Sequence, residues 1–328
     1  MIVKPLTFPR SIAQIEALLR RLPPTHPMQA PLNENLSRRR TGYLGEQQLK
    51  YPLSLLPEED YLIFHDLRLF DGVHYFQIDT LLLSRRFFLI IEVKNISGTL
   101  YFDRDFNQVI RTLDDKKEKF NDPVLQAEQQ GFHLNKWLAQ QSSANVPIEC
   151  IVAISSQKAI LETPSRQNDT HDKVIHAINL PFAINKLASL HQTEHSTVES
   201  LQRISKVLLK AHTPLQRDLL HQSNILKQEL TMGVQCERCQ HMPMLQQSGK
   251  WQCPYCQKTS VEAHLYALQD YTLLLDTSIS NVRCQDFLCI QSATVAKKIL
   301  RACALRSIGA NKGRTYYVTY EHLTELAH

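Results

Sequence analysis

The stretch from Gln77 to Asn95, QIDTLLLSRRFFLIIEVKN, restricts the fold more than any other. Two apolar runs, Ile78–Leu83 and Phe87–Val93, flank Ser84, Arg85 and Arg86, which predicts a β-hairpin with a short basic turn. With Arg85 and Arg86 as the turn residues, pairing sets Asp79 directly opposite Glu92. Opposed residues of an antiparallel pair point to one face, as do residues i and i+2 of one strand. Lys94 therefore joins the two acids.

Burying two carboxylates and an ammonium in strands that are otherwise apolar costs several kcal/mol unless something compensates. A divalent ion compensates well, because Mg²⁺ takes hard oxygen ligands from one or two carboxylates, waters and substrate phosphates. Asp79 and Glu92 are thus candidate ligands for Mg²⁺ or Mn²⁺, with Lys94 beside a scissile phosphate. The competing reading makes Asp79 and Lys94 a structural ion pair at a sheet end, with Glu92 turned to solvent.

A chain of 328 residues accommodates two or three domains, and 43% apolar with 21% charged residues excludes a disordered polymer. The net charge of +5 permits nucleic-acid binding without arguing for it. Arg85 and Arg86 interrupt the most apolar region, so no run is long enough for a transmembrane helix. The N-terminus lacks the pattern of a secretory signal, and a soluble cytoplasmic protein is the expectation. Four of the eight cysteines occur as two C-x-x-C pairs and the rest sit in apolar surroundings, which does not suggest disulfides.

Residues 1–37 read as an N-terminal arm or an edge decoration, with a short helix over Ser11–Arg21 and a proline-rich stretch. A helix is expected over about Thr41–Leu55, ended or bent by Pro52, with Leu44 and Leu49 facing inward. Gly42 and Gly45 permit close approach of another backbone, which suits Glu46 as a carboxylate reaching a shared site; a solvated surface Glu46 is the other reading. Tyr61–Phe70 reads as a strand and Asp71-Gly72 as a turn, while Thr99–Asp103 and Gln108–Thr112 are expected to extend the same sheet. Asp122 followed by Pro123 predicts a capped helix to about Gln141, with Val124, Ala127, Leu134, Trp137 and Leu138 inward and Gln126 and Gln130 on a second face. Those glutamines are either solvated filler or groups that bind a phosphate or orient a water.

Gly42-x-x-Gly45-Glu46, Gln77-Ile78-Asp79, Glu92-Val93-Lys94-Asn95 and Asp122-Pro123-Val124-x-Gln126 follow the motif order of the nuclease-related (NERD) domain, a branch of the PD-(D/E)xK nuclease superfamily, and the chain resembles it over about residues 38–155. The resemblance implies an α/β fold with a restriction-endonuclease-like mixed-sheet core and a metal-dependent phosphodiesterase site. It makes Glu46, Asp79, Glu92 and Lys94 the acidic and lysine members and Gln126 an accessory. Asp122 departs from the family's usual flanking residue, which affects a cap rather than the chemistry.

Strand Ile148–Ser155 is expected to close this core. Residues 156–172 read as loop, followed by a strand at Lys173–Ile178 and helices at about Phe182–Leu190, Thr197–His212 and Leu215–Glu229, so that 156–232 forms a helical connector. The histidines there show no metal-ligand spacing.

Cys236-x-x-Cys239 and Cys253-x-x-Cys256, thirteen residues apart, predict a structural Zn²⁺ ribbon over 233–262. A redox dithiol or an iron–sulfur site is the alternative. Residues 268–328 resemble a winged helix-turn-helix, with helices at Ile279–Phe287 and Ser292–Ala304 and a hairpin over Arg306–Val318. Gln291–Val318 carries six Lys or Arg and no acid, and Thr294, Lys297, Lys298, Arg301, Lys312 and Arg314 are candidate nucleic-acid contacts. A basic protein-interaction surface is the other reading. Together these features lead to the expectation of a Mg²⁺-dependent DNA nuclease, with RNA as another possible substrate; the alternative is a non-catalytic DNA-binding or regulatory protein on a nuclease-like scaffold.

Overall fold

The computed structural model describes residues 1–103, 105–141, 146–163, 170–215 and 217–327, with Thr170, His171 and Lys312 described by backbone alone. The chain divides into two compact units, Met1–Thr7 with Arg39–Leu215 and Phe8–Arg38 with Gln216–His328. Strand β1 (Ile2–Lys4) belongs to the first, helix α1 (Arg10–Arg21) to the second, and helix α2 (Gln29–Gln47) enters the first unit from Arg39 onward.

The first unit is built on a six-stranded sheet in the order β1-β2-β3-β4-β8-β10, with β2 at Leu62–Phe70, β3 at Tyr75–Leu83, β4 at Phe88–Lys94, β8 at Ile148–Ile154 and β10 at Val174–His176. Strands β2, β3 and β4 are antiparallel, whereas β4, β8 and β10 run parallel. The central hairpin turns through Arg85 and Arg86, because Ser84 N donates to Phe87 O (3.1 Å) and the Ser84 hydroxyl closes the loop on the same carbonyl (2.7 Å). The two-residue side-chain period then divides its apolar residues between two cores. Leu81, Leu83, Phe88 and Ile90 pack with Ala127 and Leu134 of helix α4 (Pro123–Gln140), and Leu82, Leu89 and Ile91 pack on the other face with Leu53 of the short helix α3 (Lys50–Ser54). Helix α4 starts where expected: the Asp122 carboxylate accepts from Val124 N (2.8 Å).

Several sequence expectations need correction. The helix expected over Thr41–Leu55 is α2 followed by α3, and Leu44 is exposed while Leu49 is buried. Thr99–Asp103 and Gln108–Thr112 do not extend the main sheet. They lie in a second sheet, ordered β7-β6-β5-β9, comprising β5 (Gly98–Asp103), β6 (Gln108–Leu113), β7 (Lys116–Asn121) and β9 (Ala159–Glu162). β9 falls in the span read as loop, where it pairs parallel to β5, and β7 was concealed by its lysines, which lie on an exposed edge.

Residues 156–215 form no connector. After helix α5 (Thr170–Lys173), β10 joins the main sheet, while α6 (Leu180–Leu190) and α7 (Val198–Ala211) cover it through Leu180 and Ile184 on one face and Leu201, Ile204 and Leu208 on the other. Among the described residues, only a four-residue helix α8 (Leu219–Gln222) and one 3₁₀ turn (Lys227–Glu229) occur in place of the long helix expected over Leu215–Glu229.

Residues 1–37 are not a free arm. β1 adds parallel to β2, and in the second unit α1 buries Ile12, Ile15 and Leu18. Arg21 of α1 is fully buried. Its guanidinium donates to Asp270 Oδ2 (2.9 Å) and Thr231 O (3.0 Å) and lies 4.2 Å from the centre of the Phe287 ring. Asp270 sits on helix α9 (Ala263–Leu274), which sequence periodicity missed because this helix is apolar nearly all round.

The second unit carries one three-stranded sheet of β11 (Leu245–Gln247), β12 (Lys250–Gln252) and β13 (Thr259–Ser260). It carries another, in the order β14-β16-β15, of β14 (Ser278–Ser280), β15 (Arg306–Ile308) and β16 (Thr315–Tyr317). Helices α10 (Asn281–Leu288) and α11 (Ala293–Cys303) are capped by Ser280 and Ser292, and the C-terminal helix α12 (Tyr320–Leu326) by Thr319. Cys236, Trp251 and Cys253 share a single core with Leu268 of α9, Phe287 of α10 and Leu300 of α11, so the boundary expected between 233–262 and 268–328 marks no break in packing. No described helix is long and apolar enough to cross a membrane.

Candidate functional site

The β3–β4 ladder runs from Leu83↔Phe88 to Thr80↔Ile91, a register that places Asp79 next in line with Glu92. The strands separate there, and the Asp79 carboxylate takes the Val93 N–H (2.9 Å), the place a ladder carbonyl would fill. Glu92, 1% exposed, lies on the α4 side of the sheet with Lys94, whose Nζ reaches Glu92 Oε1 at 2.6 Å. Helix α4 supplies two amides one turn apart: Gln126 Oε1 accepts from Lys94 Nζ (3.1 Å), and Gln130 Nε2 donates to Glu92 Oε2 (2.8 Å). Gln126 is exposed and Gln130 is buried. Glu92 therefore does not face solvent, and Lys94 pairs with it rather than with Asp79.

Glu46 approaches from the end of α2. A Cβ on Gly45 would stand 2.7 Å from Asn95 Cβ and 2.9 Å from Ser155 Oγ, so the absent side chain is what lets α2 sit against the ends of β4 and β8. Gly42 has nothing within 4 Å and does not share this role. Burial, and then the charge of Asp79, push the Glu46 carboxyl up to about 8. The Asp79 carboxyl is pushed up to about 7 by burial and by Glu92, against the opposing pull of the Val93 N–H and Lys94.

Both acids also feel Asp66, a residue the sequence reading missed. Asp66 lies across β2–β3 from Asp79, between the pairs His65↔Thr80 and Leu67↔Ile78, and its φ of 50° breaks the ladder there. Its signal was a single acid inside the apolar strand YLIFHDLRLF.

These residues fit a hard divalent ion. Gln130 Oε1 is buried beside Glu92 with no hydrogen-bond partner among the described residues, an acceptor that a cation or its water would satisfy. Among the described residues the acids form no cage of three or more donor atoms within 4.8 Å of one another. Mg²⁺ keeps waters and takes substrate phosphate alongside one or two carboxylates, so it does not require such a cage.

The second candidate centre is that cage. Cys236, Cys239, Cys253 and Cys256 place their sulfurs within 4.8 Å of one another, with Cys236–Cys256 at 3.6 Å and Cys239–Cys253 at 3.5 Å. A tetrahedron with Zn–S bonds of about 2.3 Å has edges of about 3.8 Å, so the set fits zinc. Each C-x-x-C is followed by a left-handed glutamine, Gln240 (φ 62°) and Gln257 (φ 59°), which closes the knuckle onto the carbonyl of Cys236 or Cys253. His241 stacks on Tyr255 and belongs to no metal-ligating group.

On α11, Thr294, Lys297, Lys298 and Arg301 are exposed, while Ala296, Ile299, Leu300 and Cys303 face the core. The β15–β16 hairpin follows, with Arg314 Nε bonded to Gly309 O (3.3 Å) at its tip; the Lys312 side chain lies outside the described residues.

Residues 41–155 match the family model described as the nuclease-related domain, which supports a nuclease-related domain in this part of the chain. No curated protein matches the chain. No solved structure matches it either.

Two outcomes follow from this packing. Gly45→Ala should cost about 1–3 kcal/mol in chemical denaturation through overpacking, whereas Gly42→Ala should be neutral or stabilising; equal effects would remove the special role of Gly45. Purified protein should carry one zinc per chain by elemental analysis, and Cys253→Ser or strong chelation should release it and lower the melting temperature.

Proposed function

We propose that the chain is a Mg²⁺-dependent nuclease acting on DNA, with a PD-(D/E)xK-type site in residues 41–155 and nucleic-acid contacts on its C-terminal modules. The observation that carries this reading is the gathering of Asp79, Glu92 and Lys94 at one strand end, where the ionisation of Asp79 is suppressed by burial and by Glu92. Asp79 and Glu92 would hold the ion, with the Val93 carbonyl as a further oxygen. When bound, a divalent ion supplies Lewis-acid stabilisation of the phosphoryl oxygens and a nucleophilic water.

Lys94 contributes the positive charge. Two of its three ammonium hydrogens are engaged by Glu92 and Gln126, which leaves the third to point at a phosphate oxygen or the attacking water. Gln126, exposed and bonded to Lys94, fixes the direction of the ammonium, and Gln130 holds the Glu92 carboxylate in place. Glu46 assists by orienting substrate or a second ion.

The second unit is read as the part that holds the duplex. Serine-capped helices α10 and α11 followed by the β15–β16 hairpin support a winged helix-turn-helix, and the exposed basic face of α11 suits phosphate contact. The four cysteines are read as a zinc ribbon that stabilises the shared core rather than taking part in chemistry.

Protein with Mg²⁺ should cut DNA, and Lys94→Ala should lower the rate at least a hundredfold while keeping the folded circular dichroism spectrum; equal cutting by the variant would assign the activity to a contaminant. Because the folded carboxyl groups of Asp79 and Glu46 titrate near 7 and 8, both are protonated at low pH and a cation must displace those protons. Calorimetry should therefore show Mg²⁺ affinity rising from pH 6 to pH 8 with proton release. In the metal-free protein the same upward shifts remove stability as pH rises above about 4, so Asp79→Asn should raise metal-free stability at pH 8.

Replacing Lys297, Lys298 and Arg301 together by Ala should weaken DNA binding and flatten its salt dependence by up to three counterions. Cleavage-free binding with a wild-type salt slope would favour a different surface. DNA binding without any metal-dependent cleavage would favour the non-catalytic reading.

A further inference from the structure

A cavity of about 490 Å³ opens outside the carboxyl ends of the parallel strands β8 and β10. Tyr51, Pro52, Ala177 and Ile178 form its apolar walls, and Gln48, Ser155, Ser156, Gln157 and His176 converge on it with polar groups. Ligands of open α/β sheets bind outside the carboxyl ends of strands, and a concave, mostly apolar site with a few placed polar groups is the usual form of a small-molecule pocket. None of the described lining residues is Asp, Glu, Lys or Arg, so the group received is neutral rather than a phosphate.

The cavity adjoins the acidic site. Ser155 N donates to Lys94 O (3.0 Å), and Ser155 is also the residue that Gly45 packs against. Gln48 lies two residues beyond Glu46. The cavity therefore borders the backbone of the strand end that carries Lys94. Tyr51 is 62% exposed, an aromatic face kept in water where a planar group would cover it. The amides of Gln48 and Gln157 make no hydrogen bond among the described residues and are available to base edges.

We propose that this cavity receives an unstacked nucleobase next to the phosphate held at Lys94, with Tyr51 as its stacking platform, so that the substrate class is single-stranded or frayed DNA. This rests on the reading of the acidic site as one that binds a phosphodiester. Base–aromatic stacking tolerates every base, so the pocket selects an unpaired state rather than a sequence.

The test uses the full wild-type chain in chelator, without divalent metal, and an oligothymidylate in which 5-iodouracil replaces one thymine at successive positions. Irradiation should cross-link the single strand to the peptide containing Tyr51, and a blunt duplex of the same length should not cross-link there. Adding Tyr51→Ala should abolish that cross-link and weaken single-strand affinity about tenfold or more by fluorescence anisotropy, and Tyr51→Phe should restore both. An affinity for Tyr51→Ala within twofold of the parent, or equal cross-linking by the blunt duplex, would overturn the proposal. The cross-link persisting while the wild-type chain fails to cut DNA with Mg²⁺ would sink the nuclease reading and leave the pocket standing.

Discussion

The strand end where β3 and β4 separate concentrates carboxylates that repel one another, and the first unit is arranged around that cost. Beyond burial, Glu92 and Asp66 both disfavour ionisation of Asp79 and Glu46, and Asp79 disfavours that of Glu46. Compensation comes from the Val93 N–H on Asp79, the Lys94 ammonium and the Gln130 amide on Glu92. It is incomplete, since Asp79 and Glu46 remain protonated to unusually high pH and Gln130 keeps an unpartnered oxygen. An assembly short of positive charge in this way is consistent with the cation site proposed above.

The second sheet explains how the strand end becomes a bounded site. β4 leads from Lys94 into β5, β7 leads through Asp122 into α4 with Gln126 and Gln130, and β8 leads from Ser155 into β9. These three segments pass through or beside that sheet, which packs Leu100, Phe102 and Val109 against Val124, Val152 and Ile154. Gly45 then lets α2 close from another direction, bringing Glu46 with it. The cavity beside Ser155 lies in this same shell, and no local motif indicated it.

In the second unit, Arg21 shows how much a single buried charge organises. Its hydrogen bonds to Asp270, Thr231 and Gly233, with the Phe287 ring against its plane, join α1 to α9, to the segment before the first cysteine pair and to α10. An isolated cysteine ribbon of this length would depend on its metal to fold. Here Cys236 and Cys253 are also buried in a core shared with three helices, which gives the knuckles support beyond the ion.

What the sequence determined by itself is local and chemical. The hairpin register follows from Arg85 and Arg86 and places Asp79 in line with Glu92; Asp122 and Pro123 start α4; Ser280 and Ser292 cap two helices; and the C-x-x-C pairs bring four sulfurs together. Each of these depends on neighbours within a few residues or across one turn, where spacing and geometry are nearly the same thing. Only the tertiary structure decided which sheet β5 and β6 join, that α1 is buried, that residues 156–215 belong to the first unit, and that Asp66 and Gln130 stand beside the acids. Those outcomes depend on pairings between residues far apart in the chain, and an apolar period of two or 3.6 tells a segment which face to bury without telling it against what.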